Sequence, residues 1–187
     1  MMIVRRIKPE TLHQISPLND TQLVSEDAVL RIGRMGLQMC YMPAVRPEWR
    51  SFPAVTYADP AFLVHDEASA FYGAFEGEKF IGCAAVTVNP NGWADLLDIR
   101  VDAAFRRRGA GRMLLDKCAA FAQKRQLYGL RAACTDHNPG MCQFLEHEGF
   151  VLHGFDQMAL TQSPEERLKP RSKRASLLYF YRLNQKG

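Results

Sequence analysis

The sequence predicts an α/β domain on one mixed central sheet. Three observations carry this. Short apolar runs of strand character recur near the start, three times in the middle and twice late in the chain. Segments with apolar residues at helical spacing lie between them. The 187 residues, 47% of them hydrophobic, suffice for one sizeable core, and no second core is evident. Residues 1–187 therefore read as a single domain.

Ile3, Val4 and Ile7 mark a short first strand. Ser25-Glu26-Asp27 reads as the cap of a helix from about Ala28 to Cys40. Pro43, Pro47, Pro53 and Pro60 then break any long element between Tyr41 and Glu67. Tyr41, Trp49, Phe52, Tyr57 and Phe62 make that stretch too apolar for a disordered linker. The expectation for residues 41–69 is an irregular, lid-like segment with one short helix.

Ala70–Glu76 and Phe80–Val88 alternate around the turn Glu76-Gly77-Glu78-Lys79 and predict a hairpin. Asn89-Pro90-Asn91-Gly92 turns into a third strand, Trp93–Val101. Leu114, Leu115, Cys118, Phe121 and Ala122 place a helix over Arg112–Gln126. Leu130–Thr135 is strand-like. Asn138-Pro139-Gly140 starts a short helix with Pro139 as its first residue. A strand follows from Phe150 to Leu160, then a polar, basic loop (Thr161–Ala175) and a last strand, Ser176–Leu183.

A net charge of +4 is mild and fits a routine basic enzyme better than a nucleic-acid binder. The basic run Arg171, Lys173, Arg174 has no interleaved aromatics to stack bases and reads as a solvated loop. Five cysteines (Cys40, Cys83, Cys118, Cys134, Cys142) are odd in number and lack CxxC spacing, so neither a metal site nor a disulfide framework is expected. No segment reads as a signal peptide or a membrane span. The expectation is a cytoplasmic protein, monomer or homodimer, without nucleic-acid or membrane partners.

Arg106-Arg107-Arg108-Gly109-Ala110-Gly111-Arg112 is the most informative stretch. It joins a strand to a helix. Its glycines let the backbone approach a ligand, the helix start presents unpaired N–H groups, and four arginines supply positive charge. That combination holds a pyrophosphate.

Arg106-x-x-Gly109-x-Gly111 matches the Q/R-x-x-G-x-G/A signature of the GNAT acyltransferases. Ile99-Arg100-Val101 precedes it by the usual gap, and Asn138 and Gly149-Phe150 follow at the family's spacing. The chain thus resembles that family, over a motif core of about residues 70–160. Tyr72-Gly73-Ala74-Phe75, Arg125 to Arg131, Gly149 to Asp156 and Leu178-Tyr179-Phe180-Tyr181 resemble its streptothricin acetyltransferase branch.

The resemblance implies a GNAT fold with a mixed, mostly antiparallel sheet flanked by helices. It also implies acetyl-coenzyme A as donor and a primary amine, on a small cationic molecule such as streptothricin, as acceptor. By the same resemblance the pantetheine arm pairs with Ile99, Arg100 and Val101. The pyrophosphate sits on the amides of Arg107, Arg108, Gly109, Ala110, Gly111 and Arg112, and Asn138 touches the pantetheine.

The chain departs from the family at two places. A glutamate often serves as base where this chain has Ala133, and a tyrosine often serves as acid where it has Leu145. Tyr128, Tyr179 and Tyr181 lie outside that slot. Positioning alone is worth roughly 7–11 kcal/mol against about 10²–10⁴-fold for acid–base help, so their loss predicts a slower enzyme. A silent acyl-coenzyme A binder and a peptide or protein acetyltransferase remain as alternatives. Asp98 is the candidate to bind the ammonium or relay its proton; the competing reading is a solvated strand carboxylate. Cys134 with His137 could form a nucleophilic pair, though a small buried residue and a loop histidine fit better. Asp59, Asp66 and Glu67 could attract a cation, but ordinary loop charges are the preferred reading.

Overall fold

The computed structural model describes residues 1–34, 36–52, 58–157, 159 and 176–184. They fall into two compact units: residues 1–22, 51–131 and the stretch from 183, and residues 23–50 and 132–182. The architecture is a mixed sheet of mostly antiparallel strands with a few helices.

In the first unit, β1 (Met2–Arg6), β4 (Ser69–Glu76), β5 (Lys79–Val88) and β6 (Ala94–Val101) lie side by side in the order β1-β4-β5-β6. Every neighbouring pair is antiparallel. Gly77, with φ of 62°, makes the tight β4–β5 turn that a side chain would strain. α2 (Ala110–Lys124) packs across β4, β5 and β6. Its Leu114 and Leu115 are fully buried, each stabilising the fold by about 1.5–3 kcal/mol. Gly82 permits that packing: a Cβ there would lie 2.8 Å from Arg100 O and 3.4 Å from Leu114 Cδ1. A second cluster joins Ile7, Phe71, Phe75, Cys83 and Ala85 to Leu63 of α1 (Pro60–Leu63), with Leu12, Ile15 and Leu18 packed against it.

In the second unit, β7 (Gly129–Thr135, which starts in the first unit), β9 (Leu177–Leu183) and β8 (Val151–Asp156) run in the order β7-β9-β8. Leu178 and Phe180 form the buried face of β9. α3 (Pro139–His147) is capped by Asn138, whose side chain accepts from Met141 N at 3.1 Å, and Pro139 sits in its first turn. Gly149, with φ of 82°, ends it, and Phe150 is buried behind it.

The helix expected over Ala28–Cys40 is absent. Its place is taken by a two-stranded ribbon of β2 (Gln22–Gly33) and β3 (Gly36–Arg50). Ser25-Glu26-Asp27 lies within β2 and caps nothing helical. A helix through Gly33 would lose about 1 kcal/mol there, and the same again at Gly36, which instead makes the turn with φ of 97°. Alternation of exposed and half-buried residues along β2 confirms the period of two.

The lid-like reading of 41–69 also needs correction. Tyr41–Arg50 is strand, with Pro43 and Pro47 inside it, as a strand in a two-stranded ribbon tolerates. Trp49 and Phe62 are 72% and 76% exposed rather than packed. The short helix does occur, as α1. Pro53 and Tyr57 lie outside the described residues. So do Leu160 and the loop of 161–175 with its basic run. The strand expected to reach Leu160 ends at Asp156.

Candidate active site

β6 ends at Val101, and Asp102 starts a short 3-10 turn (Ala103–Phe105) by accepting from Ala104 N at 3.0 Å. The backbone then turns left-handed twice, at Arg107 (φ of 59°) and at Gly109 (φ of 88°), the N-cap of α2. Such a turn gathers successive amides into a concave, anion-seeking surface. Among the described residues no hydrogen bond is made to the amides of Arg107 through Arg112. The first turn of α2 carries no acidic residue that would cancel its dipole. Among the described residues a Cβ on Gly109 would meet nothing within 4 Å.

The four arginines are not equivalent, which corrects their reading as one pool of charge. Arg106 is spent on main-chain carbonyls: Nε donates to Val101 O at 2.9 Å and Nη1 to Thr21 O at 2.8 Å. Arg108 pairs with Glu76 at 2.5 Å and lies over the Phe105 ring. Arg107 and Arg112 are exposed and have no partner among the described residues. They are the cations placed to meet an anion.

β6 carries a bulge beside this loop. Ala85 pairs with Asp98 and Val86 with Leu96, leaving Leu97 unmatched. A bulge re-aims local backbone groups, which places a candidate oxyanion donor here. Ile99, Arg100 and Val101 continue the ladder against Ala84, Cys83 and Gly82.

Asp98 is neither solvated nor free. Arg100 Nε donates to its Oδ2 at 2.8 Å, and its side chain is 10% exposed. Burial pushes the carboxyl above its usual range, although Arg100 pulls the other way. Cys83, below Arg100, has its thiol pushed up to about 12 by burial. Asp20 adds its negative charge to this cluster, and no local pattern in the sequence marks it. Asp95, also unmarked by motif, binds Arg131 through both oxygens at 2.7 and 2.6 Å.

Asn138, Ala133 and Leu145 belong to the second unit. The carboxamide oxygen of Asn138 is engaged in its cap. Ala133 is exposed and Leu145 fully buried, so neither slot holds a proton-transfer group. Cys134 faces another thiol, Cys142, at 3.5 Å, whereas His137 lies 4.0 Å from Asp136, so the Cys134–His137 pair is not formed. Tyr41 donates to Glu146 at 2.6 Å; burial and then that carboxylate hold its hydroxyl proton on. Tyr181 stacks edge-on against His153, and Tyr128 is exposed.

Asp59 and Asp66 have local tasks. Asp59 accepts from Ala61 N at 2.9 Å to cap α1, and Asp66 accepts from Ala68 N at 2.9 Å. Glu67 offers its carbonyl to Arg125. No group of three or more His, Cys, Asp or Glu among the described residues is placed to hold a metal ion. None of their helices is long and apolar enough to cross a membrane.

The chain is 29% identical over 101 residues to streptothricin acetyltransferase A of Bacillus subtilis (strain 168), covering 54% of this chain and 58% of that one. It is 30% identical over 100 residues to a streptothricin acetyltransferase of Escherichia coli, with the same coverage. The match thus spans little more than half the length of these curated relatives. A Bacillus anthracis (strain Ames) protein provisionally named streptothricin acetyltransferase, solved with acetyl coenzyme A, superposes with a TM-score of 0.84. It is 20% identical, over 98% of this chain and 99% of that one, and shares the fold. The family model for the acetyltransferase (GNAT) family matches residues 37–150. With most of its length matched in this way, and with the bulged strand, the glycine turn and α2 in place, the chain belongs to the GNAT acetyltransferase family.

Proposed function

We propose that this protein binds acetyl-coenzyme A at the β6–α2 loop and transfers the acetyl group to a primary amine of a small, cationic, streptothricin-like molecule. The observation that carries this is the run of amides from Arg107 to Arg112, unpaired among the described residues, as are the Arg107 and Arg112 side chains, one turn beyond a bulged strand. These amides and Arg107 and Arg112 take the pyrophosphate. The backbone at Leu97 donates to the oxyanion that develops on the carbonyl. The amine attacks in its neutral form, and with Ala133 and Leu145 empty of function its proton leaves through water or Asp98. A free thiol with a pKa of about 8.5 departs tolerably without an acid. Acetylating an antibiotic of this class in the cytoplasm would confer resistance.

The test is incubation with acetyl-coenzyme A and streptothricin, followed by mass spectrometry of the amine. The reading expects a monoacetylated product that Arg107→Ala and Arg112→Ala proteins form more slowly. An Asp98→Ala enzyme with unchanged amine KM and kcat removes Asp98 from the scheme. The buried Leu145 and exposed Ala133 favour one second reading, a catalytically silent acyl-coenzyme A binder. Cofactor binding without turnover of any small-molecule, peptide or protein amine supports it.

A further inference from the structure

The Arg106 guanidinium is held by three main-chain carbonyls. Besides Val101 O and Thr21 O, its Nη2 donates to Asn19 O at 3.4 Å. Val101 closes β6, whereas Asn19 and Thr21 bracket Asp20. Further bonds tie the same two places together. Asp102 Oδ2 accepts from Asn19 N at 3.0 Å, and Ala103 N donates to Asn19 O at 2.9 Å. The Asn19 carboxamide accepts from the Thr21 amide at 3.1 Å and its hydroxyl at 2.6 Å. Asp20 is therefore fixed from both sides, and Ser51 Oγ donates to its Oδ1 at 2.5 Å. Its charge acts on Arg100 and Asp98, next to the bulge.

We infer that Arg106 is a positioning residue that clamps the cofactor loop to the Asn19–Thr21 segment, and with it the Asp20 carboxylate, and is not a pyrophosphate ligand. This rests on the function proposed above. A guanidinium is a rigid fork of donors, and here the nitrogens at every arm already face carbonyls. Arg107 and Arg112 have no partner among the described residues. A ligand that orders residues 106–112 thus orders Asn19–Thr21 too, and with them the carboxylate of Asp20.

The test compares wild type with Arg106→Gln, Arg106→Lys and Arg107→Ala. Calorimetry measures acetyl-coenzyme A binding at low and high salt, hydrogen exchange follows residues 19–21 without ligand, and kinetics give the KM for streptothricin. Arg106→Gln is expected to keep the cofactor Kd within about threefold and its salt dependence unchanged, since no phosphate charge is lost. It should exchange faster at 19–21 and raise the amine KM about tenfold, as loss of charge-assisted bonds implies. Arg106→Lys, which keeps the charge but not the fork, should resemble Arg106→Gln. Arg107→Ala should do the reverse: weaker cofactor binding, shallower salt dependence and unchanged exchange at 19–21.

Cofactor affinity falling more than about tenfold in Arg106→Gln, with a shallower salt dependence, would make Arg106 a phosphate ligand. Unchanged exchange at 19–21 would equally overturn the clamp. If wild type binds no acetyl-coenzyme A, the proposed function fails, while the exchange measurement still decides the clamp.

Discussion

Asp98 and Arg100 stand two residues apart on β6 and close on each other, Nε to Oδ2 at 2.8 Å, with side chains 10% and 25% exposed. Removing one partner leaves the other largely out of water without compensation. Breaking a fully buried pair costs about 3–5 kcal/mol, and partial exposure reduces this to roughly 1–3 kcal/mol. Asp98→Asn and Arg100→Met should each lower thermal stability by that amount, read as about 2–4 °C per kcal/mol. The double variant should lose less than the sum of the two, because the pair is one interaction. Strict additivity in denaturant titrations would show that the contact contributes nothing.

The loop arginines divide into two kinds by their partners. Arg107→Ala and Arg112→Ala should each weaken acetyl-coenzyme A binding about tenfold, with a smaller loss at high salt. Arg108→Ala should have a weaker effect, since Glu76 already neutralises it. Titration calorimetry at two ionic strengths checks the ranking, and Arg108 as the dominant residue would reverse it.

Ala133 is an exposed position on β7, so a longer side chain fits without repacking. Ala133→Glu should restore a general base and raise kcat/KM at neutral pH by about tenfold or more. The gain should shrink as pH approaches the amine's own pKa of about 10.4. Leu145→Tyr is different: the position is fully buried, and overfilling it should cost about 1–3 kcal/mol. A pH–rate profile for Ala133→Glu identical to wild type would mean that proton removal does not limit the reaction.

The Asp102 carboxyl is held below its usual range, first by the Asn19 amide and also by that of Ala104. A lowered folded-state pKa stabilises the fold above the unfolded value and loses that contribution as pH falls through the folded one. Thermal stability should therefore drop below about pH 4, and hydrogen exchange at Asn19 should rise with it. Asp102→Asn should remove this part of the pH dependence. A variant that keeps the full acid sensitivity would contradict the assignment.

The loop and the elements that flank it were legible because their determinants are local. Alternation in β6, the glycines after Arg108 and the apolar spacing of α2 are each readable within a dozen residues, and the structure places them as expected. The vacancies at Ala133 and Leu145 are implied by the family resemblance, with the positions counted from Asn138. The β2–β3 ribbon was not legible: its first strand places Ser25-Glu26-Asp27 before an apolar run, which imitates a helix cap, while the strand is stabilised by pairing with β3. The task of Arg106 was hidden for a similar reason. A signature arginine reads as charge for a phosphate, but its partners at Asn19 and Thr21 lie some eighty residues away and carry no motif.

Acetyl transfer by this protein is tested by free-thiol release from acetyl-coenzyme A across a panel of amines including streptothricin, run beside cofactor-dependent thermal stabilisation. Stabilisation by acetyl-coenzyme A is expected together with amine-dependent thiol release that is greatest for a cationic small molecule. Absence of any binding to coenzyme A esters, or binding without release on every amine tested, would contradict it.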